Sequence, residues 1–594
     1  MAKAAARIIF LEAVLVLAAS AVVARSFWLQ VVHYGVWEKK AGDRRELNRV
    51  TNARRGRILD RNGQPLAVSQ EQYRFTVSPN EVKDLAALRA ELPSVLGVTK
   101  GRVDQAFTKD YPYFQGPFDA EQIGPLRSLR GIHLEVLYNR VYPMPGLAPR
   151  ILGRLGGENG DVGIEGIEKA MDTLLRGRPG ESHYLVDARG TRLPAPGPAI
   201  VEPIAGRDVE LTIDADLQGI AEGALRRTIE EHQAHGGEIV IMDVHTGELY
   251  AVASLGTDSA TGNIVPTASA LLAANEPGST SKLFTAAAML RFNADTSPVD
   301  GEGGIWRLMS GGRTLRTVKD VEPIHGPVSL AEAIKVSSNI AMSKFSLRLQ
   351  PEQQFTTMRN FGFGTPPGTG FPGEERGVLM RPAKWVNDLL SKTSLAMGYQ
   401  WEATAVQLAA GYGAMGNHGT LMTPTLVRRV RDAAGAITWE HRPDTVRQAV
   451  PDSIAAHLLE YLRLTEDSGG TGVKAQLTRY KMAGKTGTAQ RTARDGYRGS
   501  YAGLFPDRNP QVVIYVMIDR VRAGSIYGGN TAAPLGREVM EEALAAQTSP
   551  LDRSLLTAAV PLPAPAGPRV ATAPSTRRVR IPAPPVPGVR GLGT

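Results

Sequence analysis

The sequence contains no cysteine among its 594 residues. A disulfide, a thiolate zinc site, an iron–sulfur cluster and a cysteine nucleophile are therefore excluded. Any nucleophile that this chain uses must present oxygen or nitrogen. A chain without cysteine also suits export into an oxidising compartment, because it has no thiol that could mispair.

Several other patterns are missing. No segment of about 20 to 50 residues repeats, which excludes solenoids and propellers. His232, His235 and His245 lie close in sequence but have no carboxylate support at metal-ligand spacing, so we predict no metal site. The net charge of +9 comes without a basic motif interleaved with aromatic residues, and we predict no nucleic-acid partner.

The amino terminus carries an apolar run over residues 8–24, in which Glu12 is the only charge. An extension through Arg25, which can snorkel, supplies the length of one bilayer crossing. We predict a cytoplasmic segment at 1–7 and a transmembrane anchor at 8–30. The small residues 19–21 also fit a cleavable signal. Either alternative exports the remainder, which lies outside the cytoplasmic membrane.

The remaining chain divides by pattern into three parts. Residues 31–205 mix short β-like runs with helical stretches and predict an irregular α+β region. Residues 206–548 predict a sheet flanked by a helical cluster, in which helices dominate from 281 to 362. The segment 549–594 holds six arginines, one acidic residue and ten of the forty prolines, which predicts a disordered tail.

A serine and a lysine precede an apolar helical stretch. Ser279 and Lys282 are three positions apart, and residues at that spacing share a helix face. Hydroxyl and amine can then come within hydrogen-bond reach, which is the geometry of an activated nucleophile. A lysine among apolar groups loses its charge more readily and can act as a base. The alternative is a capping serine beside a surface lysine.

Two further polar elements follow. Ser337-Ser338-Asn339 interrupts a helical stretch and predicts a break, because polar side chains there compete with helical hydrogen bonds. Lys485-Thr486-Gly487 lies on a predicted strand, where the glycine permits close backbone approach. This second element is not a P-loop, because residue 479 is not the glycine that the motif requires.

In this order, S-x-x-K, S-x-N and K-T-G resemble the active-site signature of penicillin-binding proteins and serine β-lactamases. The segment 55–67 resembles the opening motif of the amino-terminal module in class B penicillin-binding proteins. Other segments that look similar to this family are 140–143, 163–168, 187–190, 404–408 and 528–534. The resemblance covers most of residues 8 to 545. It implies an α+β multidomain protein with a membrane helix, a pedestal or dimerisation module, and a β-lactamase-like transpeptidase domain with an antiparallel sheet.

The resemblance also implies a reaction, peptidoglycan D,D-transpeptidation. Ser279 would attack a D-Ala-D-Ala stem peptide and form an acyl-enzyme, and an amine of a neighbouring stem would accept the acyl group. Lys282 would take the serine proton. Ser337 would relay protons to the leaving and attacking nitrogens. Asn339 would bind the substrate amide. No metal or organic cofactor is implied.

The K-T-G strand is the implied substrate-binding element. Lys485 and Thr486 would bind the terminal carboxylate, and Gly487 and Thr488 would complete this strand. The backbone N–H groups of Ser279 and Thr488 would form the oxyanion hole.

The resemblance implies stem peptides and β-lactam antibiotics as ligands. It also implies a membrane glycan polymerase of the FtsW/RodA type, with other division or elongation proteins, as partners. Chain length and the anchor resemble the septal branch better than the elongation type. No E-D-x-x-F glycosyltransferase signature precedes the acyltransferase motifs, which disfavours a bifunctional class A enzyme.

Two alternatives stay open. A D,D-carboxypeptidase or β-lactamase-type hydrolase would use water in place of the acceptor amine. A scaffold would keep the fold without turnover. The chain also departs from the family pattern: Ser281 replaces the usual apolar residue before the motif lysine, and the segment 255–275 is short. These departures concern the lip of the cleft.

Overall fold

A computed structural model describes residues 2–36, 46–157, 160–186, 192–194, 200–490 and 496–556. The familial segment 187–190 and most of the predicted tail, residues 557–594, lie outside the described residues. The described part has the α+β architecture that the sequence predicts. An amino-terminal helix is followed by a first α+β region, up to residue 205, and by a second that holds the three motifs.

The helices are numbered in chain order. They are α1 (Ala2–Phe27), α2 (Leu85–Leu96), α3 (Lys100–Ala106), α4 (Ala120–Ile123), α5 (Pro149–Leu152), α6 (Gly166–Ala170), α7 (Asp172–Leu175), α8 (Ala215–Glu231), α9 (Ser269–Leu272), α10 (Lys282–Arg291), α11 (Leu330–Lys335), α12 (Asn339–Leu347), α13 (Pro351–Asn360), α14 (Leu389–Ala396), α15 (Ala405–Gly416), α16 (Asp452–Leu464) and α17 (Ala532–Ala545).

The strands are numbered in the same way. They are β1 (Glu46–Thr51), β2 (Ile58–Leu59), β3 (Pro65–Val77), β4 (Tyr113–Asp119), β5 (Ile132–Val141), β6 (Leu155–Gly156), β7 (Val162–Gly163), β8 (Gly180–Val186), β9 (Arg192–Pro194), β10 (Ile200–Val201), β11 (Asp208–Leu211), β12 (Gly236–Asp243), β13 (Leu249–Thr257), β14 (Ile264–Pro266), β15 (Val299–Asp300), β16 (Ile305–Ser310), β17 (Arg313–Lys319), β18 (Pro327–Val328), β19 (Thr420–Met422), β20 (Val427–Arg431), β21 (Ile437–Glu440), β22 (Thr445–Gln448), β23 (Ala483–Gln490), β24 (Tyr497–Phe505) and β25 (Val512–Val521).

Helix α1 continues into a π-helical turn at Trp28–Val32. Within the described ranges, Ala6–Val32 is the one helical segment long and apolar enough to cross a bilayer. The Arg25 guanidinium lies over the Trp28 ring, 4.5 Å from its centroid. An arginine next to a tryptophan is typical of a membrane interface, where both side chains have an apolar body and a polar tip.

In the first region, three familial motifs meet at one buried carboxylate. Glu168 is fully buried, and its two oxygens accept hydrogen bonds from Arg55 Nε and Arg140 Nε, each at 2.7 Å. Arg55 also donates to Asp172 Oδ1 at 2.8 Å. Because a buried charge requires partners and hydrogen bonds, this cluster gives the three segments a structural role.

The sheet of the first region extends into the second. Its order is β21-β20-β11-β2-β3-β4, with β5 paired to β3 on the other edge. Strand β2 pairs with β11 in parallel, and β11 pairs with β20 antiparallel. Backbone hydrogen bonds therefore join the two regions directly.

The second region is built on a six-stranded antiparallel sheet in the order β14-β13-β12-β25-β24-β23. Helices α8 and α17 pack on one face, and α15 packs on the other. Helix α10 lies against α15, where the Phe284 ring contacts Tyr412. Residues 282–289 of α10 are all buried, which makes α10 a central helix. Its Phe284 ring contacts four other buried rings, those of Phe361, Phe363, Trp401 and Tyr412.

Two local predictions are wrong. Helices do not dominate all of 281–362, because β15 to β18 occupy 299–328 and β16 and β17 form a hairpin. Its turn is Gly311-Gly312, with φ values of 55° and 75°, a glycine pair that favours a tight hairpin. Disorder from residue 549 is also wrong for 549–556, where Leu551 is buried and Asp552 exchanges two hydrogen bonds with Gln511.

Candidate active site

Ser279 lies in a 3₁₀ turn, Gly278–Ser281, that leads directly into α10. Gly278 has a φ of 60°, and a Cβ there would lie 2.9 Å from the Cβ of Ala489 on β23. The glycine therefore lets the serine turn approach the K-T-G strand closely. Thr280, the residue after Ser279, is fixed in the core. Its hydroxyl donates to Pro277 O at 2.8 Å, and its carbonyl accepts a hydrogen bond from the Tyr412 hydroxyl.

Lys282 begins α10 and is fully buried. Its Nζ donates to Ser337 O at 2.6 Å, to Asn339 Oδ1 at 2.8 Å and to Ser337 Oγ at 3.2 Å. These contacts use the three donors of an ammonium group. The hydroxyl–amine contact expected between Ser279 and Lys282 is not among the hydrogen bonds of the described residues. Lys282 Nζ donates instead to oxygen atoms of Ser337 and Asn339 in the second motif.

The second motif forms the predicted break between helices. Helix α11 ends at Lys335, α12 begins at Asn339, and Ser337 between them has a φ of 59°. Ser338 caps α12, because its hydroxyl accepts a hydrogen bond from Ala341 N at 2.9 Å. The prediction of a break at 337–339 is confirmed.

The third motif lies on β23, as predicted, at the edge of the six-stranded sheet. Lys485 is fully buried, and its Nζ donates to Ser337 Oγ at 2.9 Å and to Thr486 O at 2.8 Å. Ser337 Oγ therefore accepts from both lysines. With its two lone pairs engaged, this hydroxyl has its proton left to donate.

Burial alters the charge of both lysines. Burial lowers the pKa of Lys282 to about 7, and the Asp320 carboxylate opposes this shift. The pKa of Lys485 is lowered well below its usual range, first by burial and then by repulsion from Lys282. Lys282 is thus partly neutral near pH 7, which suits a general base.

The rest of β23 is packed tightly. Thr486 donates its hydroxyl to Thr471 Oγ1 at 2.7 Å, and Thr488 Oγ1 accepts from Gly528 N at 3.1 Å. A Cβ on Gly487 would lie 2.3 Å from Ser500 Oγ, so the strand requires glycine there. As the last strand of its sheet, β23 has backbone groups that face away from β24 and are available to an extended ligand.

The two departures from the family pattern have structural explanations. Ser281 is buried and donates its hydroxyl to Leu395 O at 3.1 Å, so this polar side chain is satisfied inside the core. The short segment 255–275 ends in a bridge between Asn275 and Ala403. Together with the hydrogen bond from Gln400 N to Glu276, this bridge fixes the chain just before the serine turn.

Sequence reasoning missed Asp320, which follows β17. Its carboxylate accepts hydrogen bonds from Ser338 Oγ at 2.6 Å, Asn339 N at 2.5 Å and Ile340 N at 3.0 Å. A lone acid eighteen positions before Ser338 carries no pattern in a single sequence. Among the described residues, no group of three or more His, Asp or Glu side chains could hold a metal ion.

Comparison with known proteins agrees with this arrangement. Residues 237–541 match the family model described as the penicillin binding protein transpeptidase domain. Residues 50–211 match the penicillin-binding protein dimerisation domain.

Two curated relatives span nearly the same length. The chain is 30% identical to a probable peptidoglycan D,D-transpeptidase, PbpC, of Pseudomonas aeruginosa, over 92% of this chain and 96% of the relative. It is 27% identical to the peptidoglycan D,D-transpeptidase FtsI of Escherichia coli, over 89% of each protein.

Solved structures show the same fold. Penicillin binding protein 2X of Streptococcus thermophilus aligns with a TM-score of 0.71 and 20% identity, over 85% of this chain and 81% of that protein. Penicillin binding protein 3 of Mycobacterium tuberculosis, complexed with aztreonam, aligns with a TM-score of 0.63 and 24% identity, over 86% and 100%. With the dimerisation module, the transpeptidase domain and the three motifs together, this chain belongs to the class B penicillin-binding proteins.

Proposed function

We propose that this protein is a serine-type peptidoglycan D,D-transpeptidase that forms stem-peptide crosslinks through an acyl-enzyme on Ser279. One observation carries the proposal: two buried lysines, Lys282 and Lys485, converge on Ser337 beside the serine turn. Burying two amines together is unfavourable for folding, because each disfavours the charged form of the other. Such an arrangement is typical of a site where proton transfer is required.

The reaction has two balanced steps. Ser279 Oγ attacks the carbonyl carbon of the penultimate D-alanine, the C–N bond to the terminal D-alanine breaks, and D-alanine leaves with a proton. An amine of a neighbouring stem then attacks the acyl-enzyme, which restores the Ser279 hydroxyl and forms the crosslink. Neutral Lys282 takes the serine proton. Ser337, hydrogen-bonded to Lys282, passes a proton to the departing nitrogen in the first step and takes one from the attacking nitrogen in the second.

Substrate binding falls to the motif residues around this centre. Asn339 binds the amide of the stem peptide. Lys485 and Thr486, with Gly487 and Thr488 on the same strand, bind the terminal carboxylate. The N–H groups of Ser279 and Thr488 stabilise the oxyanion. A β-lactam would enter the same site as a substrate mimic.

We assign residues 1–7 to the cytoplasm, 8–30 to a single crossing of the cytoplasmic membrane, 31–205 to the pedestal and 206–548 to the transpeptidase domain outside the cytoplasm. The apolar helix supports the anchor. A division role is favoured by the relative named FtsI. The proposed partners are a glycan polymerase of the FtsW/RodA type, which would contact the anchor and pedestal, and other division or elongation proteins.

Covalent labelling with a fluorescent penicillin tests this proposal against the two alternatives. Ser279→Ala should abolish the label. Ser281→Ala is the matched control, because it removes a hydroxyl two positions away that donates to Leu395 O, and it should label like the native chain. A label lost within minutes favours a β-lactamase-type hydrolase, and a folded native chain that never labels favours a scaffold.

A second assay separates transfer from hydrolysis. The native chain is given a D-Ala-D-Ala stem donor and an acceptor amine, and products are resolved by mass spectrometry. A transpeptidase yields the amide adduct, whereas a D,D-carboxypeptidase yields the shortened stem alone. Exclusive hydrolysis at saturating amine would contradict the proposed transfer.

A further inference from the structure

The loop at Ser337 is held both by its own helices and by a neighbouring element. Ser337 has a φ of 59°, a backbone conformation that a residue with a side chain adopts only when its surroundings impose it. This conformation matters because both the carbonyl and the hydroxyl of Ser337 meet Lys282 Nζ. The loop connects two short helices, α11 and α12, of six and nine residues. Its own helices hold it only through the backbone at Ile334 and Ala333 and the Ser338 cap, so contacts from another element add to its support.

That support comes from the chain immediately after the β16–β17 hairpin. Asp320 Oδ1 accepts from Asn339 N at 2.5 Å and from Ile340 N at 3.0 Å, and Oδ2 accepts from Ser338 Oγ at 2.6 Å. The preceding carbonyl, Lys319 O, accepts from Asn339 Nδ2 at 2.8 Å. Four hydrogen bonds therefore tie two consecutive residues to the loop, and three of them use one carboxylate.

The geometry at Asn339 is constrained on both sides. Its Nδ2 donates to Lys319 O, while its Oδ1 accepts from Lys282 Nζ at 2.8 Å. The amide can therefore take only one orientation. The carboxylate of Asp320 also lies at the amino terminus of α12, where the helix dipole and the free N–H groups stabilise a negative charge.

Asp320 also acts on Lys282 electrostatically. Its negative charge raises the pKa of Lys282 against the lowering caused by burial. Lys485 is the other titratable group that faces Ser337 with Lys282, and burial and Lys282 together lower its own pKa. Removal of the Asp320 charge therefore favours neutral Lys282.

We propose that Asp320 is the positioning residue of this active site: its carboxylate holds the Ser337–Asn339 loop so that the Ser337 hydroxyl and the Asn339 amide face the reacting groups. The inference rests on the proposed function. Asp320 does so without contacting substrate, through the loop that it caps.

The test measures acylation by a β-lactam in stopped flow, with the binding constant separated from the acylation rate constant. Asp320→Ala removes every side-chain contact, and we expect the rate constant to fall about 100-fold, because small displacements of reacting groups carry penalties of this size. The binding constant should change little. Asp320→Asn keeps the Oδ1 acceptor, so it should recover part of the acylation rate. The midpoint of the pH profile of acylation should move downward, because loss of the Asp320 charge favours neutral Lys282.

Asp388→Asn is the matched control, because Asp388 caps α14 in the same way, accepting from Leu390 N at 2.9 Å and from Ser391 Oγ at 2.5 Å. It should reduce thermal stability without moving the pH midpoint. If Asp320→Ala does not fold, the Asp320→Asn rate and pH profile decide. Two results overturn this inference alone. One is acylation of the Asp320 variants at the native rate. The other is a loss of rate while the midpoint of the pH profile stays unchanged, which is expected of a purely structural cap. A folded native chain that never acylates overturns the proposed function as well.

Discussion

Neutralising Glu168 should destabilise the pedestal far more than neutralising its near neighbour Glu165. Glu168 is fully buried between Arg55, which is 6% exposed, and Arg140, which is 5% exposed. Glu168→Gln keeps the shape of the side chain but leaves two buried guanidinium groups without their shared charge. Breaking a buried ion pair costs about 3–5 kcal/mol. Because glutamine retains one acceptor oxygen, we expect the free energy of unfolding to fall by about 3 kcal/mol, the lower end of this range.

Glu165 provides a closely matched control. It also pairs with two arginines, Arg150 and Arg154, but these are 50% and 67% exposed. Exposed ion pairs contribute about 0–1 kcal/mol. Glu165→Gln should therefore cost less than about 1 kcal/mol. The comparison isolates burial, because residue type, number of partners and local sequence are shared.

Urea unfolding of the chain without its transmembrane anchor shows which region loses stability. Tryptophan is absent from residues 46–205 and present at four positions of the transpeptidase domain. Circular dichroism therefore reports both regions, whereas tryptophan fluorescence reports the second. Glu168→Gln should lower the first circular dichroism midpoint more than the fluorescence midpoint. Equal losses for Glu168→Gln and Glu165→Gln would refute the reasoning from burial.

Three further predictions concern the transpeptidase domain. Burial lowers the pKa of Lys282 to about 7, and the neutral amine is the base. The acylation rate measured by stopped flow should therefore increase as pH rises through about 7 and then level off. A flat profile from pH 6 to 8 would contradict this. Gly487→Ala should abolish penicillin labelling through the clash with Ser500 Oγ, and a second change, Ser500→Gly, should restore part of it. Burial raises the pKa of Glu466 from 4.5 to about 8, so its contribution to stability is complete below pH 4.5 and is lost as pH rises through about 8. Thermal melting of Glu466→Gln should therefore change less between pH 6 and 9 than melting of the native chain.

The parts of the site that the sequence predicts are those encoded locally. The apolar stretch after Ser279 and Lys282 forms α10, as predicted, although these two side chains share no hydrogen bond among the described residues. The break at Ser337 follows from three consecutive polar residues inside a helical pattern. The strand predicted around Lys485, whose small residues permit close backbone approach, is β23.

The parts that the sequence does not predict depend on distant contacts. Asp320 follows the β16–β17 hairpin, whose Val318 shares a small hydrophobic cluster with Ile340 of α12. Nothing near either residue in the sequence signals this contact. Likewise, no spacing rule joins Arg55 to Glu168, which are 113 positions apart. Tertiary packing brings such pairs together, and a single sequence records only the residue types.

The identity of the nucleophile is tested most directly by mapping the acyl adduct on the native chain. The purified protein is incubated with a β-lactam, digested, and sequenced by fragmentation mass spectrometry. We expect the mass of the intact β-lactam on Ser279, with Thr280 and Ser281 in the same peptide unmodified. An adduct on another residue, or a folded chain that carries no adduct, would contradict it.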